Sequence, residues 1–109
     1  MKMYTAPEQT TKLIGLGFEK PRYYCADKYT IIYTGFEIIN YSIGELIEML
    51  PQEFKNASGN YLSLSIHTGG LGTWDIQYLG FEARIRTCEF ELIDAVFDML
   101  IILKEEGVI

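Results

Sequence analysis

Three neighbouring segments in the middle of the chain alternate apolar with polar residues, and this pattern constrains the fold more than any other feature. The segments are residues 61–67, 73–78 and 81–87. Alternation with a period of two is typical of a strand that buries one face. Because short connections join the three segments, the sequence predicts an antiparallel meander.

Cross-strand partners must share a face, so the three patterns can be tested against one another. A two-residue turn at residues 79–80 and a short loop within 68–72 place every large apolar side chain of the meander on one face. The turn requires Leu79 to adopt a positive φ, which is unfavourable, so a bulge is the alternative there. The predicted pairs are Ile66 with Trp74, Leu64 with Ile76, Leu62 with Tyr78, Tyr78 with Phe81, Ile76 with Ala83, Trp74 with Ile85 and, on the other face, Asp75 with Arg84.

Two short helices are predicted before the meander. In the first, Thr5 is the expected N-cap, and Glu8 follows three residues later as in a capping box. The second begins with the same pattern at Ser42 and Glu45 and ends at Pro51, which lacks the N–H that a helix requires.

A long helix is predicted from about residue 89 to 106, and Gly107 is a favourable residue to end it. At 100° per residue its apolar residues fall on one face about 140° wide, with carboxylates on the opposite side. The apolar face contains Leu92, Ile93, Val96, Phe97, Leu100 and Leu103, and the opposite side contains Glu91, Asp94, Asp98 and Glu105.

These elements predict one α+β domain over residues 1–109. Residues 22–34 place β-branched and aromatic residues around a short polar pair, which is typical of a hairpin, and the polar residues 52–60 predict a surface loop. The resulting order is α-β-β-α-β-β-β-α. An antiparallel sheet with one apolar face needs a cover, so we expect two layers, with the helices packed on one face.

Composition excludes several classes of function. The net charge of −6 opposes binding to nucleic acid. The longest apolar stretch, residues 95–103, is too short to span a membrane, and the chain begins without an apolar signal segment, so a cytoplasmic location is expected. Two cysteines and one histidine cannot complete a four-ligand zinc site by themselves. Cys25 and Cys88 are expected to be reduced and buried.

The sequence predicts no catalytic, metal-binding or cofactor-binding residue. The single histidine, His67, is expected on the solvent face of its strand, diagonal to Asp75. Residues 68–73 are rich in glycine but lead into a strand without a nearby basic residue, so they predict a hairpin loop rather than a phosphate loop. The carboxylates of the last helix are expected to be solvated, with ordinary pKa values.

Two adjacent isoleucines fall outside the apolar face of the last helix, which indicates contact with another surface. The predicted interaction surface consists of Glu91, Asp94, Asp98, Ile101, Ile102 and Glu105. We therefore expect a non-enzymatic, acidic protein-interaction or accessory module that binds a protein partner or a second copy of itself. One alternative is a small ligand-binding domain or enzyme, with a pocket between sheet and helices near Trp74, Tyr78 and Cys88; another is RNA binding on the open sheet face.

Several segments, in this order along the chain, resemble a family of small proteins encoded in gut Bacteroidales genomes, often near prophages or other mobile elements. The similar segments are residues 6–9 (APEQ), 12–13 (KL), 16–17 (LG), 23–24 (YY), 42–51 (SIGELIEMLP), 74–78 (WDIQY) and 91–99 (ELIDAVFDM). The resemblance implies a cytosolic accessory protein of a mobile element. It implies no reaction and no functional residues.

Overall fold

The computed structural model describes residues 1–21 and 40–109. Within them the helices are α1 (Pro7–Gly15), α2 (Ile43–Met49) and α3 (Leu92–Glu105), and a short 3-10 turn spans Gly70–Gly72. The strands are β1 (Glu53–Lys55), β2 (Tyr61–Thr68), β3 (Trp74–Gly80) and β4 (Ala83–Glu89). They form one antiparallel sheet in the order β1-β2-β3-β4. The predicted α+β class is confirmed; the hairpin predicted at 22–34 lies outside the described residues.

The core lies between one face of this sheet and the helices. The inner face is formed by the even-numbered residues of β2 and β3, and Leu62, Ile76 and Tyr78 are buried there. They belong to the same apolar cluster as Leu13 of α1 and Leu46 of α2. Burial of each large apolar side chain contributes about 1.5–3 kcal/mol, so this shared cluster is the main stabilising contact between the two layers.

Helix α3 supplies half of the buried apolar residues found in the described part of the chain. Its buried residues are Leu92, Ile93, Ala95, Val96, Met99, Leu100 and Leu103. The buried face is wider than predicted because Ala95 and Met99 are enclosed as well, whereas Phe97 is only half-buried against the core. The helix begins later than predicted because β4 continues to Glu89. It ends as predicted, with Gly107 at a φ of 75°.

The meander keeps the predicted faces but not the predicted register. Tyr78 pairs with Ile85 rather than with Phe81, and the connection between β3 and β4 is a turn at Phe81 and Glu82, with Glu82 at a φ of 58°. Gly80 lies against the backbone carbonyl of Tyr61, where a Cβ atom would collide. Since a slip by an even number of residues leaves every side chain on the same face, the alternation of apolar residues could not distinguish these registers. The β2–β3 pairing is shifted in the same way, and Leu64 pairs with Tyr78.

The helix caps confirm one prediction and correct another. Ser42 and Glu45 form the predicted capping box: the Glu45 N–H donates to Ser42 Oγ at 3.1 Å, and the Ser42 N–H donates to Glu45 Oε1 at 3.2 Å. The N-cap of α1 is Ala6 rather than Thr5. The Ala6 N–H donates to Gln9 Oε1 at 2.9 Å. Thr5 is buried, and its hydroxyl accepts a hydrogen bond from the Tyr41 N–H at 3.0 Å instead of capping the helix.

Strand β1 lies in the segment that was predicted to be a loop. Phe54 pairs with Leu62 of β2, and its ring meets the ring of Tyr78 edge-on, with a centroid distance of 5.0 Å. The Tyr78 hydroxyl donates to the carbonyl of Pro51 at 2.7 Å. This one inward aromatic residue explains why a short polar segment joins the sheet.

None of the helices in the described part of the chain has the length and apolar composition that a bilayer span requires.

Candidate functional site

The acidic stripe, which we define as Glu91, Asp94, Asp98 and Glu105, begins at the first turn of α3. The backbone N–H of Lys2 donates to Glu91 Oε2 at 2.7 Å. The ammonium group of the same lysine donates to Asp94 Oδ1 at 2.9 Å. The N-terminal half of the stripe therefore already binds one basic residue of its own chain.

Asp94 and Asp98 have opposite electrostatic environments although they lie one helical turn apart. Burial acts to raise the pKa of Asp94, but hydrogen bonds from Lys2 and from Gln9 Nε2, the latter at 2.8 Å, outweigh it and lower the pKa. Burial raises the pKa of Asp98 from 3.8 to about 6, together with a hydrogen bond to Glu89 and charge repulsion from Glu89 and Asp94. The prediction of ordinary pKa values was therefore wrong for both groups, because neither carboxyl is fully solvated.

The C-terminal half of the predicted interaction surface contains both exposed and half-buried residues. Glu105 is exposed, while Ile101 and Ile102 are both half-buried. Ile101 packs against the core cluster, so it belongs to the fold rather than to a free surface. Ile102 is the isoleucine that lies within the stripe by helical spacing.

Sequence reasoning missed three residues of this surface: Lys2, Gln9 and Glu89. Lys2 and Asp94 are 92 positions apart, so no local pattern joins them. Glu89 was assigned to the helix, but it ends β4, and only the packing of α3 against that strand brings it to Asp98.

The outer face of the sheet holds a polar network centred on Asp75, whose side chain is only 7% exposed. The Nε and Nη2 groups of Arg86 donate to Asp75 Oδ1 at 3.1 and 2.7 Å. A hydrogen bond from the Cys88 thiol, followed by the contact with Arg86, lowers the pKa of Asp75 against the opposing effect of burial. The predicted partner, Arg84, was wrong because the register of β3 and β4 differs from the prediction.

His67 faces solvent, as predicted, but lies directly opposite Asp75 rather than diagonal to it. Its Nε2 is 3.7 Å from Asp75 Oδ2 and 3.2 Å from the amide nitrogen of Gln77, and its Nδ1 is 3.3 Å from Ser65 Oγ. When the Gln77 amide donates to Nε2, the neutral ring carries its proton on Nδ1 and donates to Ser65. In that arrangement the ring nitrogen that faces Ser65 is a donor and does not accept a proton from the Ser65 hydroxyl.

Two of the residues near which a pocket was predicted, Tyr78 and Cys88, lie on opposite faces of the sheet. Tyr78 is fully buried on the inner face of the sheet. Cys88 was expected to be buried but is exposed, and its place opposite Asp75 puts it on the outer face. Cys25 lies outside the described residues. A cleft of about 420 Å³ does lie between the inner face of the sheet and the end of α3, where Phe54, Ile85 and Val108 line it.

Three large apolar side chains are exposed at the end of the outer face that carries the β3–β4 turn. Tyr61 is 61% exposed, Leu79 45% and Phe81 77%. We call these three residues the outer apolar patch. Phe81 was predicted to face the core, and it is exposed because it occupies the turn instead of β4.

No cluster of three or more potential metal ligands occurs among residues 1–21 and 40–109. Comparisons with protein-family models, with curated proteins and with solved structures give no match. The functional argument therefore depends on the geometry of this chain.

Proposed function

We propose that this protein is a non-enzymatic interaction module whose acidic stripe docks a basic segment of a partner protein. The observation that carries the proposal is the contact of Lys2 with Glu91 and Asp94. One residue supplies both a main-chain N–H and an ammonium group to two carboxylates of α3. A lysine of a partner segment carries the same two donors and, with Glu91 and Asp94 occupied by Lys2, would meet Asp98 one helical turn further along.

The next carboxyl along the stripe supports the same function. No cation pairs with Asp98 in the part of the chain that the structure describes, and its pKa is raised to about 6 by burial and by Glu89. A lysine or arginine of a partner would relieve the repulsion between the two carboxyls. Half-buried Ile102 lies further along the same side of the helix and offers an apolar contact.

Exposed ion pairs contribute little affinity, typically below about 1 kcal/mol each. Charge complementarity mainly raises the association rate and selects the partner. We therefore expect binding that weakens with salt. We also expect binding that strengthens as the pH rises through about 6, because Asp98 must be ionised to pair with a cation.

The test uses a short labelled peptide of Lys and Leu as the probe and measures binding by fluorescence anisotropy. Asp98→Lys should weaken binding about tenfold or more. Glu53→Lys is the matched control, since it makes the same change of charge at an exposed residue of β1, away from α3. An equal loss of peptide affinity in both variants would show that only net charge matters and would refute the proposal. Equal peptide affinity at pH 5 and pH 7.5 would also refute it.

The biological setting that we propose is that of a cytoplasmic accessory protein of a mobile genetic element. This part of the proposal comes from the resemblance of the capping and core segments described above. Capture of a basic host or phage protein from the native host, abolished by Asp98→Lys and retained by Glu53→Lys, would support it. Capture unaffected by Asp98→Lys would contradict it.

A second candidate function, binding of a small apolar ligand, is favoured by the cleft between the sheet and the end of α3. Its floor is apolar, from Phe54, Ile85 and Val108, and Lys55 and Glu106 stand at its margin. A volume of about 420 Å³ lies within the range of small-molecule sites. Native mass spectrometry should then show a bound molecule that Ile85→Trp displaces; protein that carries no added mass would exclude a resident ligand.

A further inference from the structure

The outer apolar patch lies on the face of the sheet opposite the core. Taking the exposed fractions of Tyr61, Leu79 and Phe81 with roughly 200 Å² for a large side chain, the patch presents about 350 Å² of apolar surface. The largest apolar patch of a typical monomeric protein is of this size, about 300–600 Å², and is often functional.

Charged residues surround the patch in a balanced arrangement. Across the sheet, one row of the outer face reads Glu53, Ser63, Leu79 and Arg84. In the next row Lys55 pairs with Tyr61 on one side, and Glu82 occupies the turn on the other. Two cations and two anions thus border the patch. The net charge of the border is therefore zero, although the whole chain has a net charge of −6. Two copies repel each other overall, but this surface adds nothing to that repulsion.

The arrangement is complementary to itself. A twofold axis that runs parallel to the strands, between β2 and β3, exchanges β1 with β4 and β2 with β3. It brings the outer face of one copy onto the outer face of another, about 10 Å apart as in packed sheets. From the observed register, the rotation sets Glu53 opposite Arg84 and His67 opposite Asp75 of the second copy. It also brings the end of the sheet that carries Lys55 and Tyr61 onto the end that carries the turn at Phe81 and Glu82.

We propose that the outer face of the sheet is the interface of a homodimer with this twofold geometry. The occupant is a second copy because the surface is complementary to itself: its repetition about the axis places Glu53 opposite Arg84 twice. The apolar patch is less than half of the roughly 800 Å² that each partner buries in a standard interface, so the dimer is weak and depends on concentration. This proposal does not depend on the acidic stripe, which belongs to α3 in the helical layer.

The first test measures mass by sedimentation velocity over a range of protein concentrations that extends to about millimolar. We expect the wild type to shift from monomer towards dimer across this range. Phe81→Ser should shift the midpoint at least tenfold upward. Leu71→Ser is the matched control, because Leu71 is 97% exposed but lies in the loop at the other end of the sheet. A wild type that stays monomeric throughout, or equal effects of both variants, would overturn the proposal.

The second test reverses charges across the axis. Glu53→Arg and Arg84→Glu should each weaken the dimer, and the double variant should restore it, since the opposite charges then face each other again. Both side chains are exposed, so circular dichroism should show unchanged folding. A double variant no stronger than either single variant would overturn the twofold arrangement. The peptide-binding assay of the acidic stripe should be unaffected by Arg84→Glu, which separates failure of this proposal from failure of the proposed function.

Discussion

Asp98→Asn is expected to stabilise the protein at neutral pH, although it removes a charged residue from a half-exposed helix face. Burial, and then the hydrogen bond and charge of Glu89, raise the pKa of Asp98 from 3.8 to about 6. The folded protein therefore resists ionisation of this carboxyl, and the unfolded chain does not. Asparagine retains a donor for the Glu89 carboxylate but has no charge to repel it.

The sign and size of the effect follow from that rise in pKa. Well below pH 4 Asp98 is neutral in both states, so the two proteins should be equally stable there. Between about pH 4 and 6 the folded wild type binds more protons than the unfolded chain, so its free energy of unfolding falls as the pH rises. One pKa unit corresponds to about 1.4 kcal/mol, which gives an upper bound of about 3 kcal/mol above pH 6. Because solvent reaches this half-buried carboxyl, we expect a gain of about 1–2 kcal/mol.

Urea denaturation followed by the fluorescence of Trp74, the only tryptophan of the chain, measures the gain directly. Asp94→Asn is the matched control, because hydrogen bonds from Lys2 and Gln9 lower the pKa of that carboxyl. It should destabilise the protein at neutral pH, and its effect should shrink in acid. A gain for Asp98→Asn that is equal at pH 4 and pH 7.5, or no gain at pH 7.5, would refute the reasoning.

Two further predictions concern the sheet. Tyr78→Phe should lower the free energy of unfolding by about 1–2 kcal/mol, because the carbonyl of Pro51 loses its buried hydroxyl donor; a change below about 0.5 kcal/mol in urea denaturation would contradict this. Gly80→Ala should cost more than about 2 kcal/mol or displace β3, since the added Cβ meets the backbone of β2. Gly70→Ala is its control, with nothing within 4 Å of the new Cβ, and similar melting temperatures for the two variants would show that the close approach is absent.

Elements that depend on local chemistry were predictable from the sequence. The capping box at Ser42 and Glu45 and the end of α3 before Gly107 depend on residues within one helical turn. The sharing of one face by the three strands of the meander depends on a period of two, which no even slip disturbs. Registers and turn positions depend on contacts between strands. Gly80 against the Tyr61 carbonyl is one such contact, and the alternation of apolar residues carries no information about it.

In the candidate surfaces, too, some features depend on local sequence and others on contacts between distant segments. Helical spacing predicted that Glu91, Asp94 and Asp98 lie on one side of the last helix. It could not show that Lys2 neutralises the first two or that Glu89 repels the third, because those partners come from distant or differently assigned segments.

The amino-acid sequence by itself determined the α+β class, the faces of the strands and the acidic side of the last helix, because these follow from the periods of the backbone and from residues a few positions apart. Tertiary structure alone decided which carboxyls are paired, that Asp75 and Cys88 lie on the outer face beside Arg86, and that Phe81 stands exposed in the turn. Charge and burial at a given atom depend on neighbours that folding brings together from far along the chain, and distance along the sequence does not encode them.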